Sequence, residues 1–252
     1  MDKVLTCSFR KAGSYYSMPD LHSHSRECEL YFLSTGERRY FIQDRVLTVR
    51  AKGFVYIKAG LLHRTSSLGG GSHTRYYANV PLDWISELAG ILPPFFVVQN
   101  LDEAELMFAH LLAEADNIDE LSETRCRALV SEILVCAYRA YRNAETKSDD
   151  FLDIITAYIR SNLKGDLSLG RLAGEMQLSP TYFSALFHRR SGMRVSDFIR
   201  LTRLNAACDC LRAGAGVREA AEAAGFSDPG YFKDVFRKVM KISPSAWKKA
   251  HR

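Results

Sequence analysis

The stretch "GFSDPGYFKDVFRKVMKISPSAW", residues 225–247, has a counterpart upstream in "LSPTYFSALFHRRSGMRVSDF", residues 178–198. Both run Pro-X-Tyr-Phe, three residues, Phe, basic residues, and later an aromatic after a Ser. Leu169, Leu172, Ala173 and Leu178 align with Val217, Ala220, Ala221 and Phe226 at a spacing of 48. Tyr182, Phe183, Phe187 and Phe198 align with Tyr231, Phe232, Phe236 and Trp247 at 49, the extra residue being Asp228. The chain therefore carries one short helical unit twice.

Each copy reads as two short helices around a tight turn. In the first, about 168–190, Ser168 is placed to cap one helix and Pro180 opens the next, where a missing N–H costs nothing. In the second, about 217–239, Gly225 allows the left-handed exit and Asp228 caps the helix starting at Pro229. Two helices joined this way form a helix-turn-helix, whose second member can enter a major groove. Between the copies, 196–214 is long enough for one helix of about 28 Å. Major-groove faces on one side of a duplex repeat at about 34 Å, so the two copies suit successive turns.

Charge supports a polyanionic partner. The net +5 divides unevenly: residues 151–252 hold 17 Lys/Arg against 9 Asp/Glu, about +8, and residues 1–150 hold 17 against 20, about −3. Side chains facing away from the apolar stripe Tyr182, Phe183, Leu186 and Phe187 are Thr181, Ser184, Ala185 and His188. On the second helix they are Gly230, Lys233, Asp234 and Arg237. Thr, Ser, Arg and Lys can address base edges and Ala a thymine methyl. Arg189, Arg190, Arg194 and Lys238 are placed for phosphates.

Upstream, "ELYFLSTGERRYFIQDRVLTV" and "GFVYIKAGLLHRTSS" read as strands, with "STGE" and "IQDR" as hairpin turns and "SLGGGSH", 67–73, as a loop carrying an exposed His73. From 101 the period changes to that of helices over 101–112 and 129–141. Leu129, Ile133, Cys136 and Ala140 form a seam that either covers the strands or meets a second subunit. "NAETKSDD", 143–150, reads as a linker. No apolar run approaches the roughly 18–20 residues of a membrane span. Six scattered cysteines and no apolar leader point to a reducing cytoplasm.

The last hundred residues resemble the DNA-binding domain of the AraC/XylS family of bacterial transcription regulators, carried by "LAGEMQLSPTYFSALFHRRSG" and "AAEAAGFSDPGYFKDVFRKVMKISPSAWKK". Lys241 stands where that family usually has Gly. In the other half, His22-x-His24-x4-Glu29-x6-Gly36 and Gly60-x2-His63 resemble the two motifs of the cupin barrel, whose metal-binding members use three His and one Glu. Lys58, Ser67 and the position of Gly53 depart from the second motif, which favours a ligand pocket over a resident metal at His22, His24, Glu29 and His63.

The resemblance implies an α+β two-domain chain. A cupin-like β-barrel with a helical pair spans 1–146, its dimerisation segment 101–144, and an all-α domain with two helix-turn-helix motifs spans 147–252. It implies a non-enzymatic regulator, an activator, acting as a homodimer on promoter DNA with RNA polymerase at the nucleoid. A small-molecule effector, a sugar or another metabolite, would meet His22, His24, Glu29, Tyr31, Tyr40 and His63. The competing expectation is a metal-dependent cupin enzyme fused to a DNA-binding module.

Overall fold

Strands β3 (Glu27–Thr35) and β6 (Gly53–Ile57) set the architecture, because both are apolar on both faces. A computed structural model describes residues 5–12, 18–67, 71–144 and 150–251. Period-2 alternation sends Leu30, Phe32, Phe54 and Tyr56 to one side of the sheet, and Tyr31, Leu33, Val55 and Ile57 to the other. Each side therefore needs a cover.

The sheet holding these strands is five-stranded, in the order β1 (Thr6–Ala12), β8 (His73–Pro81), β3, β6, β9 (Phe95–Val98). A four-stranded sheet, β2 (Met18–His22), β7 (His63–Ser67), β4 (Glu37–Ile42), β5 (Arg45–Arg50), faces it, and the strand pairs among the described residues are antiparallel. Tyr40, Ile42 and Val49 of the second sheet meet Tyr31, Leu33, Val55 and Ile57 of the first.

The expected barrel is not formed. Strand pairing ends at β1 and β9 in one sheet and at β2 and β5 in the other, and no ladder joins the sheets among the described residues. Barrel closure needs continuous hydrogen-bond register around the wall. Here the chain changes layer at its corners instead: β3 and β4, joined through Gly36, lie in different sheets. "STGE" is thus a sheet-to-sheet corner rather than a hairpin turn. "IQDR" is a hairpin, with Ile42 opposite Arg45. His73 is a second correction. It opens β8 and is 1% exposed, its Nε2 lying 3.0 Å from Arg75 Nη1. The β8 alternation carries His73 and Arg75 inward together.

Helices α1 (Ala104–Ala115) and α2 (Ser122–Asn143) cover the outer face of the five-stranded sheet. Phe108, Leu111, Val130, Ile133, Leu134 and Ala137 join Phe32, Phe54 and Phe96 there, and Phe108 stacks on Phe32 at 6.0 Å. Of the seam residues, Ile133 is in this core and Leu129 and Ala140 pack against it. Of the expected linker, 143–150, residues 145–149 lie outside the described residues, while Asn143 ends α2 and Asp150 begins the next helix.

The remaining helices are α3 (Asp150–Ser161), α4 (Leu169–Glu175), α5 (Pro180–Ser191), α6 (Val195–Arg212), α7 (Val217–Ala223), α8 (Pro229–Met240) and α9 (Pro244–Ala250). Helix α6 is about 27 Å long at about 1.5 Å per residue. Its Phe198, Leu201, Leu204, Ala207, Cys208 and Leu211 are buried, so Phe183 and Phe187 on one side and Phe232, Phe236 and Trp247 on the other share one core. Leu21, Phe41 and Leu62, from the outer face of the four-stranded sheet, belong to the same core. Phe41 meets Phe198 edge-on at 5.8 Å. Burying a Phe is worth about 1.5–3 kcal/mol, so this contact is a real docking term.

Candidate functional site

Two surfaces carry chemistry. The first is the outer face of α5 and α8. Each helix starts at a side-chain cap: Ser179 Oγ accepts from Tyr182 N at 3.3 Å, and Asp228 Oδ1 accepts from Gly230 N at 2.6 Å and Tyr231 N at 3.1 Å. Such caps stabilise a helix by about 0.5–2 kcal/mol each. Ser168 also caps α4, accepting from Arg171 N at 3.4 Å.

The turns repeat in backbone detail. Gln177 and Leu178 donate to Gly174 and Ala173 carbonyls, as Gly225 and Phe226 donate to Glu222 and Ala221. Gln177 (φ 54°) and Gly225 (φ 84°) occupy equivalent left-handed positions. After the second helices, Gly192 (φ 71°) and Lys241 (φ 62°) are likewise equivalent. The residue that departs from the family's Gly therefore keeps the Gly conformation.

Phe183, Phe187, Phe232 and Phe236 are fully buried and fix which faces remain. Thr181, Ala185, His188, Arg189 and Arg190 are exposed on α5, with Ser184 half-buried. Gly230, Lys233, Asp234, Arg237 and Lys238 are exposed on α8, and Arg194 is exposed at the α6 N-cap. Arg237 and Asp234 approach at 3.8 Å with both side chains largely solvated, a loose pair that a phosphate or base could displace.

Tyr182 and Tyr231 correct the expected faces. They are 52% and 55% exposed, so they project from the same surface as the polar residues and leave the core to Phe183 and Phe232. The spacing signal was available, because both Tyr sit at matched positions of the two copies.

The second surface lies between the sheets. His22 and His63 are directly paired across β2 and β7. His24 sits just beyond β2 rather than in it. Glu29 projects from β3, with Oε2 3.2 Å from His63 Nε2 and 3.5 Å from His24 Nε2. One donor atom from each of His22, His24, Glu29 and His63 lies within 4.8 Å of all the others. His63 Nδ1 is 2.9 Å from the Leu61 carbonyl, which it engages as donor, turning Nε2 toward Glu29. The His63 side chain is 3% exposed, Glu29 12% and His24 27%.

Electrostatics bind the cluster together. Burial alone would raise the Glu29 pKa, but the His63 charge, hydrogen bonds from His24 and His63 and the His22 charge outweigh it, so the carboxyl stays ionised. Burial would lower His63, and Glu29 reverses that, raising it. Tyr31 and Tyr40 meet edge-on at 5.3 Å beside this cluster. Both are raised chiefly by burial, so both remain neutral phenols. The structure thus brings all six expected ligand-facing residues into one region. It adds Arg38, 0% exposed and donating to Thr65 and Ser67 hydroxyls, and Arg75, 5.8 Å over the Tyr31 ring. The alternation Arg38-x-Tyr40-x-Ile42 could have shown Arg38 facing inward.

The two surfaces are joined. Arg212 Nη2 donates to the Gly60 carbonyl at 3.0 Å, Arg39 Nη2 to the Arg189 carbonyl at 3.5 Å, and Arg160 pairs with Asp44.

Comparison with known proteins agrees with the first surface. A family model described as a helix-turn-helix domain matches residues 172–250. The uncharacterized HTH-type transcriptional regulator YfiF of Bacillus subtilis is 24% identical over 253 residues, covering 92% of this chain and 79% of that protein. The MmsAB operon regulatory protein of Pseudomonas aeruginosa is 29% identical over 71% of this chain and 54% of its own length. The HTH-type transcriptional activator RhaR of Cronobacter sakazakii is 23% identical over 90% of this chain and 86% of its own. All three are regulators. Residues 172–250 match a helix-turn-helix domain, and the similarity to regulators extends over most of the chain.

Proposed function

We propose that this chain is a transcription activator that binds promoter DNA through α5 and α8 and is controlled by an effector held between its two sheets. The observation that carries the DNA-binding part is the pair of capped helices with matched turns, each exposing a polar and basic face, mounted on one α6 core. Thr181, Ser184, Ala185, His188, Gly230, Lys233, Asp234 and Arg237 would address bases, with Tyr182 and Tyr231 beside them. Arg189, Arg190, Arg194 and Lys238 would hold phosphates. The activator sense is drawn from the resemblance to RhaR, which acts as an activator.

For the effector, His22, His24, Glu29, Tyr31, Tyr40 and His63 supply donors, acceptors and aromatic faces within one buried region. Contacts from that sheet into the α6 core give a differential affinity for two arrangements somewhere to act. Binding as a homodimer and recruitment of RNA polymerase complete the reading. The regulatory relatives argue for binding rather than catalysis at this cluster.

Genome-wide footprinting with the intact protein tests the proposal. Protected sites of about two helical turns, lost on Arg237→Ala, are expected, and absence of protection at any chromosomal fragment ends it. Light scattering of the purified chain checks the dimer.

A further inference from the structure

The space between the sheets is apolar on the side of β5 and β6, where Val49, Val55 and Ile57 pack. Toward β8 and β1 the same inner face turns cationic. Register sets Tyr77 opposite both Tyr31 and Ser8, and Arg75 opposite Arg10, so these side chains look toward the four-stranded sheet. From that sheet, alternation along β4 sends Arg38 inward with Tyr40. Arg38 is 0% exposed and Arg75 3%.

A buried guanidinium is costly unless charge and hydrogen bonds are returned to it. The groups that hold these two are neutral. Arg38 donates to the Thr65 and Ser67 hydroxyls at 3.0 and 2.9 Å, and Arg75 Nη1 donates to His73 Nε2 at 3.0 Å. Burial and then both guanidinium charges keep that imidazole unprotonated. Arg10 adds a third charge, directly across the ladder from Arg75 and 5.9 Å from the Tyr77 ring centroid. Like charges placed opposite each other repel. Glu29, on the same face of β3 as Tyr31, is engaged by His63 and His24.

The neighbouring phenols are donors of the matching kind. Tyr31 lies close to Tyr40 and to Arg75, yet neither phenol hydroxyl completes a hydrogen bond of good geometry among the described residues. Buried polar atoms are normally paired, and a phenol O–H is suited to an oxyanion acceptor.

We propose that Arg38, Arg75, Tyr31 and Tyr40 bind the acid group of a small organic anion, a carboxylate or a phosphate, between the two sheets. The two guanidiniums meet its charge and the two phenols donate to its oxygens. Thr65 and Ser67 fix the plane of Arg38 in advance, which suits the forked geometry of guanidinium and oxyanion. Glu29, two residues from Tyr31 on β3, faces the polar remainder of the molecule. The inference rests on the reading of this interior as the effector site, and narrows the effector to an acid.

The test is thermal unfolding of the full chain at fixed ionic strength, with chloride replaced by malonate in one arm and by inorganic phosphate in the other. One arm or both should raise the midpoint saturably, by about 3–5 °C at ten times the Kd, and the arm that saturates at lower concentration identifies the acid group. Arg75→Gln should abolish the shift. Tyr31→Phe/Tyr40→Phe, which keeps the packing of both rings, should weaken the affinity by about tenfold or more. Arg50→Gln, on exposed β5, should leave the response intact. No saturable shift over chloride in either arm overturns the proposal. So does a shift undiminished in both Arg75→Gln and the double Phe variant, which would place the anion on the basic helical face. Mobility shifts with and without the anion score the regulatory reading separately: an anion bound at Arg75 that leaves DNA affinity unchanged keeps the site and removes its effector role.

Discussion

Replacing Gly225 with Ala tests whether the second helix-turn-helix is clamped to the segment that follows α3, at Leu163. Gly225 has φ +84°, which costs a residue with a Cβ about 1–2 kcal/mol. A Cβ there would also lie 2.7 Å from the Leu163 carbonyl carbon and closer still to its oxygen. That carbonyl cannot retreat freely, because Arg203 grips it through Nε at 3.1 Å and Nη2 at 2.8 Å. Relieving such overlap costs a further ~1–3 kcal/mol, so Gly225→Ala should destabilise by about 2–5 kcal/mol in sum. Gly214 is the control. Its φ is +99°, and an added Cβ meets nothing within 4 Å. Gly214→Ala should therefore cost only about 1–2 kcal/mol. The unfolded-chain entropy lost on Gly→Ala is common to both and cancels in the comparison. Urea unfolding followed by far-UV circular dichroism, with equal m-values, gives the difference directly. If the two variants agree within about 0.5 kcal/mol, the Leu163 contact is not the clamp and the argument fails.

Three further outcomes follow from named contacts. Gln177→Gly, at the equivalent left-handed position of the first turn (φ 54°), should stabilise by about 0.5–1 kcal/mol, relief of strain outweighing the added chain entropy; an unfolding midpoint that drops contradicts this. Arg237→Ala should weaken binding to a footprinted duplex by about 1–3 kcal/mol and reduce the salt slope if the side chain meets a phosphate, whereas Arg127→Ala on α2 should leave both unchanged in a mobility-shift titration. His73 is held neutral, its pKa pushed down to about 4 by burial and then by the Arg38 and Arg75 charges. Its folded pKa lies below the unfolded value of about 6.5, so its contribution is complete above that pH and fades as pH falls toward 4. Urea midpoints measured across this window should fall in the parent and fall less in His73→Gln.

The helical half was legible because its constraints are local. A cap, a left-handed turn residue and a buried Phe each act within a few positions, and the 48- and 49-residue spacings let one copy check the other. Ser168, Pro180 and Asp228 do at the helix starts what their side chains dictate. Tyr182 and Tyr231 escaped because an aromatic at apolar spacing reads as core. The neighbouring Phe already fills that core, and a phenol hydroxyl is better left in water.

The strand half was legible in its faces and not in its closure. Alternation puts Glu29 and Tyr31 on one face of β3, the resemblance to the cupin motifs groups the histidines with them, and the structure brings all of these together. Whether two sheets close into a barrel depends on pairing between strands distant in sequence, and no residue pattern along one strand records its neighbour. Where the four polar side chains meet is set by the His22–His63 pairing and by the position of Glu29 on β3. The outward residues of β2, β4 and β7 were equally informative: Leu21, Phe41 and Leu62 are apolar on the face that a solitary sheet would give to water. Their partner is the α6 core, so the same alternation that turns His22 and His63 inward also commits the sheet to the helix-turn-helix half.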